Sequence, residues 1–167
     1  SNLAGYTPAQ ITEDVPQIAL EDGQFELAYQ PIVAVAGSEH AQYQVLLRMR
    51  QPDGSLLPAS QVIPAAELAG GIAQIDHWVL EHALFVLAER QAQGPSLRLF
   101  VSQSPRSLAR ESHAQWLLDA LRARGIEGTS LVIDLRLADA LLHTVTLRQF
   151  CQQLMPAGVQ FCLSQFE

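Results

Sequence analysis

Short apolar runs, punctuated by glycine, proline and small polar residues, divide the chain into strand-like and helix-like stretches. Residues 1–14 are polar and irregular, an N-terminal segment or linker. Residues 15–22 read as a short helix closed by Gly23. Strand-like runs follow at 25–35, 42–49, 97–102, 131–137 and 159–163. Between the later runs the apolar period lengthens to that of a helix. Ile72, Ile75, Val79, Leu80, Ala83, Phe85, Val86 and Leu87 make a broad stripe that predicts a helix over 72–91. A second helix is predicted over 105–124, with Ser104 as N-cap and Pro105 at the first helical position. A third is predicted over 138–155, stopped by Pro156 and Gly158.

This βαβαβ alternation predicts a parallel sheet with helical crossovers. Leu131-Val132-Ile133 is apolar on both faces, as a buried parallel strand should be. Only Ala36 to Ala41 separate the first two runs. That is too short for a helical crossover, so these strands should pair antiparallel. The sequence has no internal repeat and no low-complexity segment.

Composition narrows the function classes. The 167 residues are 49% hydrophobic and 16% charged, enough for one domain with a substantial core. No apolar run reaches ~18 residues, so no membrane insertion is expected, and residues 1–10 lack the pattern of a secretory signal. The first residues are Ser1-Asn2 rather than Met, as in an excised piece of a longer protein. Cys151 and Cys162 share no metal-ligand spacing, and a reduced, cytoplasmic setting is expected. The net charge of −7, with no basic cluster beyond Arg48/Arg50 and Arg122/Arg124, makes DNA a poor partner. A small dianionic ligand needs only one or two arginines and a few backbone N–H groups.

The chemistry concentrates in Tyr43-Gln44-Val45-Leu46-Leu47-Arg48-Met49-Arg50, which ends at the turn Gln51-Pro52-Asp53-Gly54. Upstream lies Phe25-Glu26-Leu27-Ala28-Tyr29-Gln30-Pro31-Ile32-Val33. Together they resemble the signature of EAL domains, the phosphodiesterases of cyclic di-GMP. In that family the first strand reads Tyr-Gln-Pro-Ile and the second carries Glu-Ala-Leu-Leu-Arg. Val62-Ile63-Pro64-Ala65-Ala66-Glu67 also resembles the family's Phe-Ile-Pro-x-Ala-Glu. The resemblance covers residues 15–167. It implies a (β/α)₈ barrel with an antiparallel first strand. A closed barrel usually needs ~250 residues, so the chain is expected to end after the fifth strand, with the C-terminal part of the domain missing.

Carried over residue by residue, the resemblance implies a degenerate site. Gln44 stands at the position of a metal-binding glutamate. Ser102, in Phe100-Val101-Ser102-Gln103-Ser104, replaces a metal-binding asparagine. Asp134, in Ile133-Asp134-Leu135-Arg136, keeps a carboxylate where the family has Glu-Leu-Thr-Glu. Ser164 and Gln165 replace two metal-binding aspartates. One carboxylate of five positions cannot hold two cations or acidify their water, so no metal cofactor is expected.

The binding half is better kept. Gln30 matches the glutamine that faces the ligand, Leu46 offers an apolar face to a base, and Arg48 can grip a phosphate or a guanine edge. Pro58 and Ala59 lie in a loop, 56–60, where the family covers a guanine. Asp76 matches an acidic residue that accepts from guanine N–H groups.

Taken singly, these residues have plainer readings. Arg48 has the pattern of a surface ion pair, and Asp76 that of a charge near a helix N-terminus. Asp134 reads as a vestigial or structural carboxylate. His77 and His82 are five apart, not the four of a helical metal pair, and all five histidines are expected to be solvated or locally satisfied. Trp78 and Phe85 are expected in the core.

Two classes of function follow. One is a catalytically inactive cyclic di-GMP receptor, most similar to FimX-type regulators of type IV pili and twitching motility. The resemblance implies a PilZ-domain adaptor as its partner, and a homodimer in the full-length protein is a further expectation. The other class is a weak metal-dependent phosphodiesterase. The acid count favours the receptor. A scaffold that has also lost the ligand stays open as a third reading.

Overall fold

The computed structural model describes residues 25–32, 41–94, 97–110 and 112–164. The helix expected over 15–22 and the far end of the first strand-like run lie outside them. Six strands form one open sheet: β1 (Phe25–Pro31), β2 (Ala41–Arg50), β3 (Leu56–Pro58), β4 (Leu97–Ser102), β5 (Leu131–Arg136) and β6 (Gln160–Ser164). The main path runs β1-β2-β4-β5-β6, with β3 paired to β2. β1 is antiparallel to β2, while β2, β4, β5 and β6 are mutually parallel. The α/β architecture with an antiparallel first strand is thus the observed one, although no barrel closes among the described residues.

Helices α1 (Ala59–Ala69), α2 (Ile72–Gln93), α3 (Pro105–Leu108), α4 (His113–Arg124), α5 (Leu137–Leu142) and α6 (Thr144–Leu154) link the strands. The period-2 alternation of the strands decides which sheet face they cover. Val45, Leu47, Leu99, Val101, Leu131, Ile133 and Leu135 point to one side and are buried. They form one core with Ile75, Val79, Leu80 and Leu84 of α2, Leu117 and Leu121 of α4, and Leu147, Phe150 and Leu154 of α6. The intervening residues, from Gln30 through Arg48 to Asp134 and Ser164, point to the other side.

Three details depart from the sequence reading. The loop expected at 56–60 is β3 followed by the start of α1, and α1 carries Pro64 inside it. The single helix expected over 105–124 is two. Ser104 caps α3 as expected, accepting from the Ser107 N–H, and the polar Arg110-Glu111-Ser112 then supplies no apolar residue to hold a continuous face. The helix expected over 138–155 also divides, at His143. There the Thr144 hydroxyl donates to the carbonyls of Ala140 and Leu141 at 3.1 and 3.3 Å, satisfying the orphan groups of a helix end.

One glycine is imposed by packing. Gly128 lies in the 3₁₀ turn before β5, and a Cβ there would sit 2.1 Å from the Ala157 carbonyl oxygen, in the turn before β6. The approach of these two backbones fixes how β5 and β6 enter the sheet.

Candidate functional site

The strand register gathers the motif residues on the helix-free face in three rows. In the first, Gln30 of β1 lies opposite Gln44, which lies beside Phe100 of β4. Gln44 Nε2 donates to the Phe100 carbonyl at 3.2 Å. One step along, Ala28 faces Leu46, and across the sheet Ser102, Asp134 and Cys162 stand side by side. In the last row Glu26 faces Arg48, and Arg136 is paired with Ser164. Because β1 runs antiparallel, its C-terminal residues Gln30 and Pro31 lie away from the rim where the parallel strands end. Gln165 lies outside the described residues.

Beyond Gln44 the edge of β2 that faced β4 is taken by β3, which pairs Arg48 with Pro58. Pro58 is exposed, and Ala59 opens α1. The predicted neighbours Leu46, Arg48, Pro58 and Ala59 are therefore brought together. Arg48 is half-buried, and among the described residues no carboxylate pairs with it. Of the other cations nearby, Arg50 pairs with Glu26, whose carboxyl that contact holds below its ordinary range, and Arg136 touches Asp139 and Glu67 through Nε and Nη2.

Asp76 is placed differently from the rest. It lies on α2, 6% exposed, and its Oδ2 accepts from the Ser104 N–H at 2.8 Å and the Ser107 hydroxyl at 2.5 Å. Its backbone carbonyl accepts from Gln103 Nε2 at 3.1 Å. Burial pushes its carboxyl up to about 6, against the lowering effect of those serines. This carboxylate fastens α2 to the N-terminus of α3, where an acceptor meets free backbone donors.

Of the described metal positions, Gln44, Ser102 and Ser164 carry no charge and Asp134 is the one acid. Asp134 Oδ1 is buried with no hydrogen-bond partner. Its neighbour Cys162 has a thiol pushed up to about 12, first by burial and then by Asp134. Among the described residues no three His, Cys, Asp or Glu side chains converge as a metal-binding group. Gln44, Ser102 and Asp134 do not fit a two-cation centre, which needs several anionic oxygens.

Two other expectations fail on burial. Phe85 is 58% exposed, not core. His113 is 6% exposed, stacked on Trp116 and Phe150, with Nε2 unpartnered, rather than solvated. An apolar cavity of about 300 Å³ lies between the β5–β6 edge and α5–α6, lined by Leu135, Leu147, Cys151 and Phe161. Cys162, beside Asp134 in the second row, also lines it, while Gln30, Gln44, Leu46 and Arg48 do not. No helix among the described residues is long and apolar enough to cross a membrane.

A family model, the EAL domain, matches residues 14–167. Among solved structures, the FimX EAL domain from Pseudomonas aeruginosa bound to c-di-GMP is similar with a TM-score of 0.84 and 34% identity, covering 93% of this chain and 62% of that one. The Xanthomonas citri FimX EAL domain in complex with c-diGMP has the same TM-score of 0.84 at 25% identity, covering 95% of this chain and 61% of that one. Among curated relatives, the cyclic di-GMP phosphodiesterase NbdA of Pseudomonas aeruginosa is 33% identical over 94% of this chain and 20% of its own length. PdeF of Escherichia coli, also named a cyclic di-GMP phosphodiesterase, is 29% identical over 90% of this chain and 20% of its own length. The chain thus spans about a fifth of such relatives. Their names overturn the expectation that the chain is no enzyme, because its relatives at this similarity include phosphodiesterases.

Proposed function

Since this chain belongs to the EAL domain family, we propose that its helix-free sheet face binds cyclic di-GMP. The observation that carries the reading is Arg48, a half-buried arginine with no carboxylate partner among the described residues, beside the apolar Leu46 and Pro58. A partly exposed guanidinium with no carboxylate beside it can make charge-assisted hydrogen bonds to a ligand's phosphate or carbonyl oxygens. The likeness to FimX domains solved with c-di-GMP supports the same ligand. In this arrangement Arg48 holds a phosphate or a guanine edge, Leu46 and Pro58 pack a base, and Gln30 offers hydrogen bonds deeper on the face.

Calorimetric titration of the full-length protein with cyclic di-GMP, in EDTA and again in Mn²⁺, tests this. Saturable binding in both conditions is expected, and no binding up to millimolar nucleotide rejects the reading. A second reading, metal-dependent hydrolysis of the same nucleotide, is favoured by the names of NbdA and PdeF. Release of linear dinucleotide in Mn²⁺ establishes it, and intact nucleotide after many binding half-lives removes it. For the output, we propose a role in type IV pilus regulation through a PilZ-domain adaptor, as the resemblance to FimX-type regulators implies. Pull-downs with and without the nucleotide test that role, and absence of association in both rejects it.

A further inference from the structure

Arg48 supplies one positive charge, and a cyclic dinucleotide carries two phosphates. The three rows contain a second cation at the same rim. Arg136 ends β5, two residues beyond Asp134 and therefore on the same face, in register with Ser164. Its side chain is 46% exposed. Its Nε donates to Asp139 Oδ2 at 2.9 Å, and its Nη2 lies 3.7 Å from Glu67 Oε2. These contacts engage Nε and one side of the fork, leaving Nη1 uncommitted among the described residues. They orient the guanidinium without burying it, as half-exposed ion pairs do.

Glu67 also shows how close the two arginines are. α1 begins one residue after Pro58, the cross-strand partner of Arg48, and its Glu67 reaches Arg136. Nine residues of helix span ~13 Å at ~1.5 Å per residue, so one end of α1 lies beside Arg48 and its Glu67 lies beside Arg136. Arg106, whose Nη1 donates to the Glu67 carbonyl at 3.4 Å, ties the end of α1 to α3 beneath them.

We infer that Arg136 is a second phosphate-binding residue, so that Arg48 and Arg136 grip the two phosphates of one cyclic dinucleotide from opposite sides of the rim. The inference rests on the proposed nucleotide-binding function. It adds what the motif positions alone do not carry: a cation where the rows hold Gln44, Ser102 and Ser164. Asp139 and Glu67 act as struts, holding the fork while its free N–H groups face the ligand. Arginine suits this better than lysine, because it can serve a strut and a phosphate at once.

The test is calorimetry of the full-length protein with cyclic di-GMP at two ionic strengths, for the parent and for Arg136→Gln, Arg136→Lys and Asp139→Asn. Arg136→Gln is expected to bind at least ~10-fold more weakly, and to lose part of the salt sensitivity of the parent, because a screened charge contact is gone. Arg136→Lys should recover part of the loss. Asp139→Asn keeps the cation and should stay within ~3-fold of the parent, a result that a purely structural Arg136–Asp139 pair would not give. Parent-like affinity in Arg136→Gln overturns the inference while leaving the function standing. So does an Asp139→Asn loss as large as that of Arg136→Gln. Failure of the parent itself to bind overturns both.

Discussion

Replacing Asp76 by asparagine should flatten one component of the protein's pH-dependent stability, and the size of the change follows from its surroundings. The carboxylate is 6% exposed and accepts from Ser104 N and the Ser107 hydroxyl. Burial nevertheless dominates and raises its pKa from 3.8 to about 6. The folded state therefore binds this proton more tightly than the unfolded chain does. Stability gained by protonation is complete below about 4 and is lost as the pH rises through about 6. At ~1.4 kcal/mol per pH unit, the difference between pH 4 and pH 7 is ~3 kcal/mol.

His113 works in the opposite direction over an overlapping window. Burial, aided by His77 and Arg110, lowers its pKa from 6.5 to about 4, so its folded form resists the proton that the unfolded chain accepts. Stability is full above 6.5 and falls as the pH drops to about 4, again by ~3 kcal/mol. The parent's own profile between pH 4 and 7 should thus be nearly level. Urea unfolding of parent and Asp76→Asn at half-unit pH steps separates the two effects. The gap between them should change by ~3 kcal/mol across the range, the parent gaining relative to the variant as the pH falls. A gap that stays constant from pH 4 to 7 would refute the buried, uphill ionisation of Asp76.

Three further outcomes are expected. His113→Phe, which keeps the stack on Trp116 and Phe150, should remove the acid-side loss and make the protein more stable at pH 5 relative to pH 7 than the parent, read by the same unfolding curves. Gly128→Ala places a methyl 2.1 Å from the Ala157 carbonyl, and should lower stability by ~2 kcal/mol or more through forced backbone movement. An unchanged unfolding midpoint would mean that the two turns are not in contact. Arg48→Ala should weaken cyclic di-GMP binding at least ~10-fold, a loss of ~1.4 kcal/mol, measured by titration.

What the sequence made legible was the part written in periods and short spacings. The period-2 alternation puts Gln44, Leu46 and Arg48 on one face and Val45 and Leu47 on the other, and the short link from Ala36 to Ala41 required β1 and β2 to be antiparallel. Leu131-Val132-Ile133 announced a strand buried on both sides, and all three are buried. The position of Asp76 was not legible, because its partners Ser104 and Ser107 come from 28 and 31 residues away. His113 looked like a surface residue, because Phe150 and Phe161, which pack in its cluster, lie on later elements. Arg136 drew no notice beside Asp134, since only the register and Glu67 place it on the rim. β3 was hidden in three residues, too short to show any period.

The most direct test of ligand binding on the helix-free face is a crystal structure of the full-length protein grown with cyclic di-GMP. The expected result is nucleotide density over the rows of Gln30, Leu46 and Arg48, with a phosphate or guanine oxygen ~2.7–2.9 Å from the Arg48 guanidinium. Nucleotide seated instead in the apolar cavity beside Leu135, Leu147 and Cys151, or an empty sheet face in crystals from saturating nucleotide, would contradict it.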